Sequence, residues 1–433
     1  MPPTLPAPTF EIVRHTLENG LRVVVAPDRS APVVGVAVLY DVGFRSEPEG
    51  RTGFAHLFEH LMFQGSVTLE KLEHFRYVES SGGTFNGSTH FDYTNYYEAL
   101  PANALERGLF LEADRMRGPR ITEENLANQL DVVKNEIRVN VLNAPYGGFP
   151  WIYLPPVLFD TFANAHNGYG GFEDLESATT DDAKDFFQRY YAPANAVLTV
   201  AGDLDVDETL AMVEKHFGDI RKRRAPKRPS FAEPPLTAER RETHTDPHAP
   251  IPAVALGYRV PDPVSQLDEL LAVLMLTEVL TDGDASRLQR RLVQQDRLVT
   301  DIEAYVGEFG DPFDERDPTA LTISAHYPPT TKLDTVLSAV DEELAKVADD
   351  GLARGELERV RTRLVSVLVR DLDAVLSRTL EIAKYELVHG RAELISELPE
   401  RLAAVSAADV QRAAATLRPD NRAVLELIAG GAA

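Results

Sequence analysis

The chain has 433 residues, too many for one hydrophobic core, so two or three domains are expected. At 44% hydrophobic and 26% charged it reads as globular, and a formal net charge of −24 disfavours nucleic acid, which needs a basic footprint. Without cysteine there are no disulfides or thiolate ligands, and any transition metal must sit on His, Asp or Glu. The opening MPPTLPAPTFEIVRH has no basic stretch leading into an apolar one. A secretory signal is not expected, and a cytoplasmic location is the default. No apolar run approaches the roughly 20 residues of a membrane helix, so no membrane partner is expected. The longest, VVGVAVLY at 33–40, has strand length. Strands EIVRHTL and LRVVVAP flank ENG, a hairpin signal, and VVGVAVLYDVG follows as a third. Helices are expected across 53–64 and near 69–80, then strands across GTFNGSTHFDYTNYYEAL, then helices over 103–117 and 122–142. This mixture predicts an α+β fold with largely antiparallel sheets.

Prolines interrupt every possible helix between Arg221 and Pro250, so 221–250 reads as a linker between domains 1–220 and 251–433. Its basic run RKRRAPKRP reads as a solvated loop. The two sides look related. YYAPANAVLTVAG and TLRPDNRAVLELIAG each carry Pro-x-Asn before an apolar strand that ends in Gly, so Pro193 and Asn195 correspond to Pro419 and Asn421. That suggests a duplicated α+β domain.

The chemistry concentrates in GFAHLFEHLMFQGS, residues 53–66. On a helix, Glu59 lies about 60° to one side of His56 and His60 about 40° to the other, so all three share a face. Histidines at i and i+4 can aim ring nitrogens at one ion, with the glutamate beside them free to handle water. The order is the inverted His-x-x-Glu-His. The alternative is an amphipathic helix with exposed histidines. The apolar flanks, Phe54, Leu57, Phe58, Leu61, Met62 and Phe63, speak against it, because burying three ionisable groups without a partner is expensive. A second pair, His244 and His248, has Pro247 between its members and reads as solvated.

GRTGFAHLFEHLMFQGS resembles the active-site signature of the pitrilysin family of zinc peptidases, nearest to the two-domain branch that includes mitochondrial processing peptidase and its bacterial relatives. SSGGTFNGSTHFDYTNYY, NQLDVVKNEIR, GGFEDLESATTDDAKDFFQRYYAPANAVLTVAGDLD and DASRLQRRLVQQDRLVTDIEAY extend the resemblance along the chain. The resemblance implies two related domains, each a largely antiparallel sheet with helices packed on it, forming half of a clam-shell. It implies one Zn²⁺ per chain, held by His56, His60 and Glu136, with Glu59 as catalytic base. Gln129 stands where relatives often carry a second glutamate behind the ligands; an amide can hydrogen-bond a ligand but adds no charge. Substrate is expected to join a sheet edge around Phe85–Thr89, through Phe85, Asn86, Gly87 and Ser88, with Asn86 the best single contact. The implied activity is endopeptidase cleavage of short or unfolded peptides. The implied partner is a homologous sister chain in a heterodimer, or a second copy. The sister chains of some relatives supply an Arg and Tyr pair, and Tyr327 has no basic partner at a convincing distance in the sequence. The competing expectation is a non-catalytic structural subunit, but the ligand residues that such relatives typically lose are all present here.

Overall fold

The computed structural model describes residues 8–430. Its first sheet contains β1 (Val13–Thr16), β2 (Arg22–Pro27), β3 (Val33–Tyr40), β4 (Thr84–Thr89), β5 (Thr94–Pro101) and β6 (Ala196–Gly202), in the order β1-β2-β6-β3-β5-β4. The pair β2–β6 is parallel and the other pairings are antiparallel. The second sheet contains β7 (Arg240–Asp246), β8 (Ala253–Arg259), β9 (Asp301–Val306), β10 (Ala320–His326) and β11 (Arg422–Ala429), in the order β7-β11-β8-β10-β9. Here β7–β11 is the parallel pair. Apart from β1, the second order repeats the first strand for strand, so the fold is a duplicated α+β unit.

The duplication reaches single side chains. Before β6, the helix Thr180–Tyr190 opens with a capping box between Thr179 and Asp182; before β11, the helix Ala407–Thr416 opens with one between Ser406 and Asp409. Each helix then closes on the Pro-x-Asn motif. Asn195 Nδ2 donates to the Tyr190 carbonyl at 2.9 Å, and Asn421 Nδ2 donates to the Thr416 carbonyl at 2.8 Å. The side-chain amide satisfies a carbonyl that the helix end leaves without a partner.

The compact units are not sequential. The first comprises Met1–Lys134, Gly168–Pro229 and Leu368–Leu398; the second comprises Asn135–Asn167, Ser230–Val367 and Pro399–Ala433. Each half of the chain therefore lends a segment to the other half's sheet, a departure from the division at 1–220 and 251–433. β3 shows why. Its Val36 faces Gly108 in the helix α3 (Leu105–Arg117), while its Gly35 faces Thr379 in the borrowed helix Val375–Lys384. A Cβ on Gly35 would lie 2.2 Å from Thr379 Oγ1, so the helix seats only against glycine. Both faces of the strand are covered, and its sequence is accordingly a continuous apolar run rather than an alternation. In the second unit, Leu154, Leu158 and Phe159 pack in the same way on Ala255, Ala423 and Leu425.

The linker reading of 221–250 is corrected in two places. Arg240–Asp246 form β7: prolines forbid a helix there, but the run between them can still join a ladder. The basic run is bound to the first unit. Arg223 donates to the Tyr191 carbonyl at 2.6 Å and lies 4.8 Å over the Phe187 ring, Lys222 donates to the Glu18 carbonyl, and Arg228 pairs with Asp92. On the other side, Glu233 accepts from the Asp160 and Thr161 amides. Among the described residues no helix is long and apolar enough to cross a membrane.

Candidate metal centre

The helix α1 (Phe54–Leu61) carries the His-x-x-Glu-His motif. Its apolar side is anchored in an aromatic core, where Phe58 lies 5.3 Å from Phe186, 6.1 Å from Phe187 and 4.5 Å from Tyr191 by ring centroids. This fixes which face points away from the core, and His56, Glu59 and His60 are half-buried on that face. Gly53 caps the helix in the left-handed region, at φ 81°; a Cβ there would lie 2.5 Å from the Tyr169 carbonyl oxygen.

The two imidazoles converge. His56 Nε2 and His60 Nε2 are 3.3 Å apart, with the rings at 88°. Glu136 completes the group: His56, His60 and Glu136 each offer a ligand atom, all within 4.8 Å of one another. Ligands held about 2.1 Å from a tetrahedral zinc sit about 3.4 Å apart, so the two nitrogens already have the required separation. Glu136 arrives on α4 (Glu123–Ile137), whose first turn is closed by Thr122 Oγ1 accepting from the Asn125 amide at 3.1 Å. The unit boundary cuts α4 after Lys134, and Glu136 follows two residues later on the same unbroken helix. Directly beyond, Arg138–Leu142 form a π-helical turn. Two imidazoles and one carboxylate are a catalytic zinc donor set with a position left for water.

Gln129, two turns earlier on α4, lies with Oε1 3.3 Å from His60 Nδ1. With the proton on Nδ1, the ring presents the Nε2 lone pair towards His56 and Glu136. Glu59 turns to the sheet, where its Oε2 accepts from Thr89 Oγ1 at 2.6 Å. Thr89 ends β4, the last strand of its sheet, which bonds β5 on one side and no strand among the described residues on the other. The predicted strand contacts fare differently. Asn86 is exposed on that edge. Phe85 stacks on Phe75 at 4.6 Å, turned onto the helix α2 (Glu73–Ser80). The Gly87 backbone runs close to the Phe63 ring. Ser88 is taken up inside the hairpin, its hydroxyl donating to Asn95 Oδ1 at 2.7 Å and lying 2.9 Å from His90 Nε2. His244 stacks on Tyr153 at 3.8 Å, so the half-buried ring of this pair is not the solvated one expected. Tyr327 donates to Glu426 Oε1 at 2.7 Å and is buried. Thr89 as the partner of Glu59, Tyr169 beside His56 at 5.2 Å, and Glu47 at the start of α1 were not singled out by sequence reasoning. Their roles depend on chain segments that meet only in the fold.

A second group, His74, Glu98 and Glu112, also gathers potential ligand atoms, and all three are buried. Physical chemistry separates it from the first. Arg115, also buried, pairs with Glu112 and lies 3.8 Å from Glu98, so a cation already occupies the place. Burial pushes the Glu98 and Glu112 carboxyls up, Glu112 well above the usual range. Burial, then the Arg115 charge, brings His74 down to about 3. A neutral histidine, one protonated carboxyl and one Arg–carboxylate pair balance their charge without a divalent ion, whose addition would bury excess positive charge.

The family model described as Insulinase (Peptidase family M16) matches residues 22–145, and that described as Peptidase M16 inactive domain matches 177–364. The chain is 28% identical to the "Zinc protease PqqE" of Helicobacter pylori over 370 residues, covering 83% of this chain and 80% of that protein. It is 25% identical to the "Uncharacterized zinc protease YmxG" of Bacillus subtilis over 404 residues, covering 91% and 93%. The solved structure of a protease from Helicobacter pylori superposes with a TM-score of 0.89 at 25% identity, covering 97% of this chain and all of that one. With the two sheets, the His-x-x-Glu-His helix and both halves of the chain matched, the protein belongs to the pitrilysin (insulinase-type) family of zinc peptidases.

Proposed function

We propose that the chain is a zinc endopeptidase that hydrolyses short or unfolded peptides. The observation that carries this reading is the convergence of His56, His60 and Glu136, with Glu59 beside them and hydrogen-bonded to Thr89. Zinc, when bound, makes water a nucleophile near neutral pH and polarises the scissile carbonyl. Glu59 takes a proton from the attacking water and returns it to the leaving amine. Gln129 holds the tautomer of His60. The free edge of β4 takes the peptide as an added strand, held by main-chain bonds that tolerate many sequences, with Asn86 presented beside it.

The chain works in the cytoplasm in this reading, with a homologous sister chain or a second copy as its partner. The test is metal analysis of the purified chain, followed by cleavage of a peptide mixture before and after chelation, with zinc added back. Cleavage that depends on zinc and disappears in Glu59→Gln supports the reading. A chain that binds zinc yet cleaves nothing, alone or with a copurifying partner, would favour the structural-subunit alternative.

A further inference from the structure

The helix that carries the motif lacks a cap of its own. Gly53, required where the Tyr169 carbonyl passes close by, has no side-chain oxygen to offer the first turn. The acceptors come from elsewhere. Glu47, 3% exposed, accepts from the Gly53 amide through Oε2 at 2.9 Å and from the Ala55 amide through Oε1 at 2.7 Å. Asp174, in the GGFEDLES stretch, accepts from the Thr52 amide at 3.0 Å and from its hydroxyl at 2.6 Å. Glu47 also ends a short segment that is tied to the β4–β5 turn: the Phe44 amide donates to the His90 carbonyl, the Arg45 amide donates to the Phe91 carbonyl, and the Arg45 guanidinium pairs with buried Asp92 at 3.1 Å. One stretch, residues 44–47, thus joins the helix bearing Glu59 to the hairpin bearing Thr89.

We propose that Glu47 is a positioning residue for the metal centre, with Asp174 as a second latch. This rests on the peptidase reading for its catalytic consequence but not for its metal-binding one. A ligand atom about 6 Å from the axis of α1 moves about 1 Å when the helix rotates by 10°, and such a displacement is enough to cost about a hundredfold in rate. A carboxylate gripping the Gly53 and Ala55 amides at the start of the helix, with its charge on the positive end, resists that rotation. Phe54, Phe58 and Leu61 pack the helix on the core, and the Glu47 carboxylate fixes the backbone of the first turn, where His56 sits.

The experiment compares Glu47→Gln with Ser406→Ala, which removes the matching capping box from a helix of the second unit. Three quantities are read: zinc affinity by chelator competition, hydrogen exchange of the α1 amides in the metal-free chain, and kcat separately from KM. An amide can accept from one backbone N–H but opposes the other with its own donor. Glu47→Gln should weaken zinc about tenfold or more, speed exchange in α1 and lower kcat about tenfold with KM nearly unchanged. Ser406→Ala should lower Tm and leave all three readouts unmoved. Unchanged zinc affinity and exchange in a folded Glu47→Gln would overturn the proposal. If Glu47→Gln does not fold, Asp174→Asn is read in the same assays: an effect of about threefold or more on zinc affinity supports the latch, and none overturns it. A wild-type chain that binds zinc but cleaves no peptide defeats the peptidase reading alone. One that cleaves, with variants that behave like wild type, defeats the latch alone.

Discussion

Glu59 shares a helix face with the two histidines of the ligand group, and its Oε2 accepts from Thr89 Oγ1. That arrangement leads to two expectations. Glu59→Gln should retain zinc and lose about 10²–10⁴-fold in kcat, the usual weight of a general acid–base group; zinc analysis and steady-state kinetics on the same sample check both halves. Glu136→Gln should instead lose zinc, because a neutral amide is a poor ligand for a hard, charged centre. The buried cluster of His74, Glu98 and Glu112 makes a prediction about stability. Burial raises the pKa of both carboxyls of the Glu98–Glu112 pair, so the pair holds a proton in the native state when the unfolded chain has already released it. The stability associated with that proton is complete below about pH 4.5 and is lost as pH rises towards the folded pKa. Glu112→Gln keeps the neutral form at every pH. The stability of the variant relative to wild type should therefore grow above about pH 4.5, at no more than about 1.4 kcal/mol per pH unit, as read from urea unfolding at several pH values.

Among the elements, α1 is short and depends on neighbours for both its face and its ends. Phe58 is 1% exposed among three aromatic rings, and Phe58→Ala should cost about 3–5 kcal/mol in denaturant unfolding. The paired Pro-x-Asn caps allow a comparison inside one molecule. Asn195 is 4% exposed and also donates to the Asp41 carbonyl, whereas Asn421 is half-exposed. Asn195→Ala should cost about 1–3 kcal/mol because buried carbonyls lose their donor, and Asn421→Ala less because water can replace the amide. Equal losses on thermal or urea unfolding would contradict that account. The same motif was legible in the sequence in both halves, since Pro-x-Asn before an apolar strand is a local pattern. The burial that distinguishes the two copies was not.

At the scale of the whole molecule, the exchanged segments are the main departure from a sequential reading. Nothing local in Val375–Lys384 indicates that it will cover β3 and β6 rather than the sheet of its own half; the amphipathic face is the same either way. A fragment ending at Pro229 should therefore lack the cover for one face of its sheet. It should aggregate or unfold, and supplying residues 368–398 should restore cooperative melting by circular dichroism. The full chain should melt as one transition, because each half needs a piece of the other.

The sequence by itself determined the elements of local origin: the ENG hairpin, the strands of the first half, the helix start at Thr122, the shared face of His56, Glu59 and His60, and the duplication marked by Pro193, Asn195, Pro419 and Asn421. These depend on dihedral preference, periodicity and spacing, which act over a few residues. Only the tertiary structure decided which helix covers which sheet, that Arg240–Asp246 would pair beside β11, that Thr89 would meet Glu59, and that Glu47 would cap α1. Each of these joins residues distant in the chain, where the partner is selected by complementary burial and by the requirement that buried amides and charges find acceptors, and no local pattern encodes that selection.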